Sequence, residues 1–258
     1  MRSTIHFQVR SLMALMVMLI SSQACFTQNR DSTLFFKSAL SITQNGFSFI
    51  PSFSLGKPAI IFEPSIGNKR LSFEPQFRFA LEGKPWSFIF IYKYKLVDRS
   101  KFSMQVGGHI PAIIFSTQSV SRNGVTEDVI ISQRFLAIEL TPNYTLSNDV
   151  TIGMYLLRGH GFDMGGVQDS YYAGLRSTIT NLNITKRIFF KLNPQVYYLK
   201  TDDKDGLYFT NTLTLAMRDF PLSVSNIVNK AIQTDIPGKD FDWNVSLIYS
   251  FDKNFVLK

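Results

Sequence analysis

Apolar and polar side chains alternate along residues 241–251. Phe241, Trp243, Val245, Leu247, Tyr249 and Phe251 share one face; Asp242, Asn244, Ser246 and Ser250 lie on the other, with Ile248 among them. A period of two over this length marks a β-strand with one apolar face. Eleven residues with an aromatic at each end also match a tilted crossing of a bilayer. The pattern recurs upstream. Phe47, Phe49, Phe53 and Leu55 open a regular series at Gly46, and Ile60, Phe62, Pro64 and Ile66 follow. Residues 71–82 and 86–96 alternate cleanly, the second through Trp86, Phe88, Phe90, Tyr92, Tyr94 and Leu96. Further strands are predicted near 102–114, 132–146, 150–158, 171–180, 188–198, 207–217 and 222–234. In the last of these the apolar residues change face around Asn226, which predicts a bulge.

The expected fold is all-β: a transmembrane, antiparallel, up-and-down β-barrel of about twelve strands. Its expected parts are a signal peptide over 1–24, a leader or start of the first strand over 25–45, the barrel over 46–251 and a tail over 252–258. Residues 34–44 could instead form a strand of their own. Connection lengths support closure in a membrane. Alternate connections near 67–70, 97–101, 147–149, 181–187 and 218–221 are short, whereas 116–130 and 159–170 are long and fall on the opposite side. Trp86 and Trp243 would start strands at one interface, and Tyr94, Tyr144, Tyr249 and Phe251 would end strands at the other. A soluble barrel or sandwich also alternates, but it needs neither aromatic ends nor one-sided loops.

Composition narrows this further. With 45% apolar and 18% charged residues, the chain is not of the disordered class. Arg2 and Arg10 precede the apolar run Leu12–Ile20, and Ser22-Gln23-Ala24 offers a small-residue cleavage site: a secretory signal, hence export. Cleavage there removes two Arg and no acid, so a net charge of +8 falls to +6. Cys25 would then be the first mature residue. It is the one cysteine, so no internal disulfide can form. Lipidation of Cys25 would need a lipobox, and Ser22 and Gln23 replace its usual apolar and small residues. No basic cluster interleaved with aromatics points to nucleic acid.

Opposite the apolar faces sit Glu63, Glu74, Glu82, Glu139 and Asp242, with Arg78, Lys93, Lys95, Arg176 and Lys191. Gln76, Gln105, His109, Asn143, Asn193, Gln195 and Asn244 join them. These are the candidate lumen-lining residues. Acids and bases balance, as in a small lumen whose charges pair and fill it. Lys93 and Lys95, two apart on one face, could form a local anion-attracting step. Glu63-Pro64, Glu74-Pro75, Thr141-Pro142 and Asn193-Pro194 each put a Pro on the apolar face, where its missing donor predicts a bend or bulge. No catalytic residues are assigned. His109 and His160 lack a recognisable nucleophile-and-acid arrangement around them in sequence. Asp202-Asp-Lys-Asp-Gly206 resembles the start of a calcium loop without its length or terminal Glu, and reads as a hairpin turn. No metal and no cofactor is expected.

From Gly46 to Phe251 the chain resembles uncharacterised outer-membrane β-barrels of Bacteroidota. The matching stretches are Ser54–Pro58, Arg78–Trp86, Asn193–Leu199 and Phe241–Phe251. The resemblance implies a barrel among outer-membrane lipids, inserted by the outer-membrane assembly machinery. It implies no established substrate or catalytic set. The expected function is a narrow channel or transport-associated protein for small polar solutes. The alternatives are a plugged structural or interaction barrel acting through its outer loops, and a membrane enzyme using His109 or His160.

Overall fold

The computed structural model describes residues 33–122 and 125–256. The signal-peptide and Cys25 expectations lie outside them. Strand segments run in chain order: β1 (Thr33–Thr43), β2 (Ala59–Gly67), β3 (Leu71–Phe73), β4 (Gln76–Ala80), β5 (Pro85–Asp98), β6 (Phe102–Arg122), β7 (Val125–Thr145), β8 (Val150–Gly161), β9 (Asp169–Asn183), β10 (Ile188–Thr201), β11 (Lys204–Met217), β12 (Leu222–Thr234) and β13 (Phe241–Val256). Apart from β3 and β4, each pairs antiparallel with its sequence neighbour, and β1 pairs with both β2 and β13, which closes the ring. β3 and β4 are two halves of one crossing between β2 and β5, interrupted at Glu74-Pro75. The result is a closed twelve-strand antiparallel β-barrel.

Its faces are inverted relative to a protein folded around an oily core. On β13 Leu247 is 49% exposed, while Asn244 and Ser246 are 5% and 9% exposed. Leu40 and Ile42 on β1 are exposed, and the intervening Ser41 and next Thr43 are buried. An apolar exterior this continuous has no favourable contact with water; acyl chains satisfy it. Ring closure pairs every edge, which a bilayer demands because it offers no water to unpaired backbone groups.

The first crossing differs from expectation. It is β1, and residues 46–58 form no strand. Phe and Ser alternate there, but Pro51 begins a short 3-10 turn over Pro51–Phe53, and Gly56 takes φ +69°, which suits a residue without Cβ. The count stays at twelve because one crossing is gained and one lost. The predicted long connection 116–130 is absent too. β6 and β7 continue as a paired arm through Ser116↔Ile131 to Arg122↔Val125, and its described residues over 116–130 are exposed on both faces. Backbone pairing and the β-branched Val120, Thr126, Val129 and Ile130 let the hairpin extend beyond the wall. The bulge on β12 lies at Ile232, where the register with β11 slips between Leu207 and Tyr208; Asn226 pairs in regular register with Leu213. β13 also runs past Phe251 to Val256, paired with Thr33, so most of the expected tail is strand.

Two connections at the far end are tied down. Asp163 in the 162–168 loop accepts three bonds from Arg134, at 2.6 Å from Nη2, 3.2 Å from Nε and 2.6 Å from the backbone N–H. Those bonds hold its carboxyl below the usual carboxylate range. Asp202 accepts from the N–H groups of Gln168 and Asp169, so the Asp-rich turn between β10 and β11 also fastens the neighbouring loop.

Candidate functional site

The interior is built by residues that alternate with the lipid-type face, and it falls into three parts. The first lies on β2 to β7. Gln76 donates to Glu63 at 2.8 Å, and Arg78 donates to Gln76 at 2.5 Å. The Arg78 guanidinium lies 5.1 Å from the Trp86 ring centre. Lys93 bonds Glu74 at 2.7 Å, and Ser72 donates to the other oxygen of the same carboxylate. Lys95 pairs with Asp98 at 3.1 Å, and Gln105 stands opposite Lys95 in the register. Glu139, 5% exposed, meets the His109 ring nitrogen at 3.1 Å and accepts from the Tyr155 hydroxyl at 2.6 Å. Gly107 makes room for that carboxylate: a Cβ there would lie 2.8 Å from Glu139 Cγ and Oε1.

The second part is the wall from β8 to β10. Arg176 reaches Asn143 at 3.4 Å and lies 5.8 Å from the Tyr155 ring centre. Asn193 donates to Thr178 at 2.8 Å, and the Gln195 amide donates to the Tyr172 hydroxyl. Lys191 is exposed on β10, toward the end where β1 begins. Farther round, at the opposite end, Asp242 accepts from Asn45 at 2.9 Å and pairs with Lys239 at 3.6 Å. Glu82 stands apart from the expected interior set. β4 stops at Ala80, so Glu82 sits in an exposed turn facing Lys57 at 3.7 Å.

The third part was not anticipated. Residues 46–58 fold back into the barrel at the end away from the start of β1. Phe49 packs edge-on against Tyr172 and Tyr197, and Phe53 lies 4.9 Å from the Phe135 ring centre. Tyr172, Tyr197 and Tyr208 stack in a row at 4.8 and 5.0 Å, each a buried residue, with Leu199 and Ile236 beside them. The expected interfacial Trp86 belongs here. The register between β4 and β5 slips where Phe79 faces Pro85, leaving Trp86 as the extra residue; its ring turns inward and its N–H donates to Phe53 O at 2.8 Å. A sequence signal for the tyrosine row did exist. Tyr171-Tyr172 and Tyr197-Tyr198 are doublets, and alternation must send one ring of each pair inside.

At the other end a cavity of about 620 Å³ opens between β1, β2, β13 and the 218–221 turn, with Glu63, Lys37 and Asp252 in its lining. Glu63, which accepts from Gln76, places this opening beside the interior chain. The lumen is therefore polar at one end and filled with aromatic rings at the other. Both strand histidines meet carboxylates: His109 faces Glu139, and His160 faces Asp169 at 3.3 Å.

No known family model matches the chain, and no curated protein sequence matches it. Solved structures do. A KdgM porin in complex with disordered oligogalacturonate is similar over 84% of this chain and 99% of that chain, at 11% identity and a TM-score of 0.51. An outer-membrane channel from Pseudomonas putida F1 is similar over 88% of this chain and 100% of that one, at 8% identity and a TM-score of 0.51. The likeness is one of fold: these neighbours are outer-membrane β-barrels.

Proposed function

We propose that this chain is an outer-membrane barrel providing a narrow channel for small polar solutes. The observation that carries the reading is the interior itself. Charged and amide side chains line the interior beside the 620 Å³ cavity, and Lys93 and Glu74 remain 26% and 31% exposed. A barrel whose interior served packing alone would have little reason to leave ion pairs half-hydrated. The two structural neighbours, a porin and an outer-membrane channel, point the same way. In this reading outer-membrane lipids meet the apolar belt, and assembly machinery of the kind implied by the Bacteroidota resemblance reads the aromatic end of β13. The aromatic closure formed by residues 46–58 favours a second reading, a plugged barrel that acts through its outer surface. Single-channel recording separates the two. Purified protein in a planar bilayer is expected to give small discrete current steps. Silence across a range of voltages and salts would reject an open pore and leave the plug.

A further inference from the structure

The interior charges are not evenly satisfied. Four interior carboxylates have donors: Glu74 has Lys93 and Ser72, Glu139 has His109 and Tyr155, Glu63 has Gln76, and Asp242 has Asn45 and Lys239. Among the cations, Lys93 and Lys95 are committed to Glu74 and Asp98, which removes the anion step expected from that pair. Arg78 is enclosed between Gln76 and the Trp86 ring. Arg176 differs. Its contacts among the described residues are one long bond to an amide oxygen and the face of a tyrosine. It is half-buried, and no described residue bonds its other N–H groups. Asn143, Thr178, Asn193 and Gln195 near it are neutral, and the one carboxylate close by, Glu139, is already bonded by His109 and by the hydroxyl of Tyr155, whose ring Arg176 faces.

We propose that Arg176 is the anion-selecting residue of the lumen and takes small solutes that carry a carboxylate or phosphate. A guanidinium presents a planar fork of donors that fits either group through two parallel bonds, and in a low-dielectric wall such bonds are strong. Gly153 faces Arg176 in the register, and a Cβ there would strike Asn143 Oδ1. The neighbouring Gly174 lets the Gln195 amide lie flat. Arg176 is four residues along β9 from Tyr172, about 13 Å at the usual strand rise, so it sits on the polar side of the aromatic closure. Exposed Lys191 lies a similar distance farther toward the open end, counted along β10 from Gln195, the register partner of Arg176. An anion entering there meets Lys191 first and Arg176 next.

This inference rests on the channel reading for its transport arm and is independent of it for its binding arm. In a planar bilayer under a potassium chloride gradient, the wild-type reversal potential is expected to show anion preference. Arg176→Gln should move it toward zero, Arg176→Glu should reverse its sign, and Arg176→Lys should keep the sign. A cation-selective wild type, or identical potentials in wild type and Arg176→Gln, overturns the proposal while leaving a channel. Calorimetric titration of the detergent-folded protein with sodium phosphate needs no current. Binding is expected to weaken roughly ten-fold or more in Arg176→Gln and to be partly kept in Arg176→Lys. Equal affinities in all three overturn the site. Phosphate binding by a protein that never conducts would keep the site and remove the channel.

Discussion

Replacing residues 47–54 with a short Gly-Ser linker is expected to raise single-channel conductance several-fold. This segment closes the far end of the lumen. Phe49 seats on Tyr172 and Tyr197, Ile50 packs beside them, Phe53 seats on Phe135, and Trp86 donates to the Phe53 carbonyl. Such contacts are apolar apart from that one bond. The loop is therefore held mainly by burial, worth about 2 kcal/mol for each ring fully removed from water. The barrel wall is closed by backbone pairing without it, since β1 and β2 meet through Phe35↔Gly67 to Thr43↔Ala59. Planar-bilayer recording of the two proteins side by side measures the effect. Large steps from the shortened form with none from wild type would establish the plugged reading. Equal conductance in both would place the narrowest point elsewhere and refute the closure.

Leu175→Arg is expected to lower unfolding free energy by about 2–4 kcal/mol in lipid vesicles. Leu175 is 63% exposed, and its register partners Met154 and Val196 are exposed as well, so it lies in the apolar belt. A charge there must leave water on insertion. On a water-facing surface the same change would fall within about 0.5 kcal/mol. Val129→Arg supplies the contrast. Val129 lies on the β6–β7 arm, where both faces are exposed and the strands have left the wall. Urea unfolding in vesicles should find Leu175→Arg strongly destabilised and Val129→Arg near wild type. A small effect at Leu175 would argue that this face meets water.

The wall was legible in the chain because a strand in a barrel declares its two faces by period alone. From Ile60 onward every expected crossing has a counterpart, as do the five short turns on one side. What period cannot convey is whether an alternating stretch pairs with a neighbour. Phe47, Phe49, Phe53 and Leu55 alternate like a strand, yet they turn inward, because Pro51 and Gly56 break the ladder and the lumen offers tyrosines to cover. One slipped residue sent Trp86 from the expected interface to the interior. Alternation also names the face of a polar residue without naming its partner. Glu139 meets His109 from 30 positions away, through strand register that only the folded ring supplies. For the same reason the sequence pointed to Lys93 and Lys95 as a local anion-attracting step, although Glu74 and Asp98 neutralise them and, among the described residues, Arg176 and Lys191 have no carboxylate partner.

The two tryptophans provide the most direct test of a barrel that is apolar outside and sealed inside. Trp243 is 47% exposed on the outer face of β13, while Trp86 is buried beneath the inward loop. In vesicles of brominated phospholipid, wild-type fluorescence should be strongly quenched, and Trp243→Phe should abolish that quenching, leaving emission from Trp86 that neither brominated lipid nor aqueous iodide reduces. Quenching of Trp243 by iodide with none from the brominated lipid would place this face in water and contradict the account.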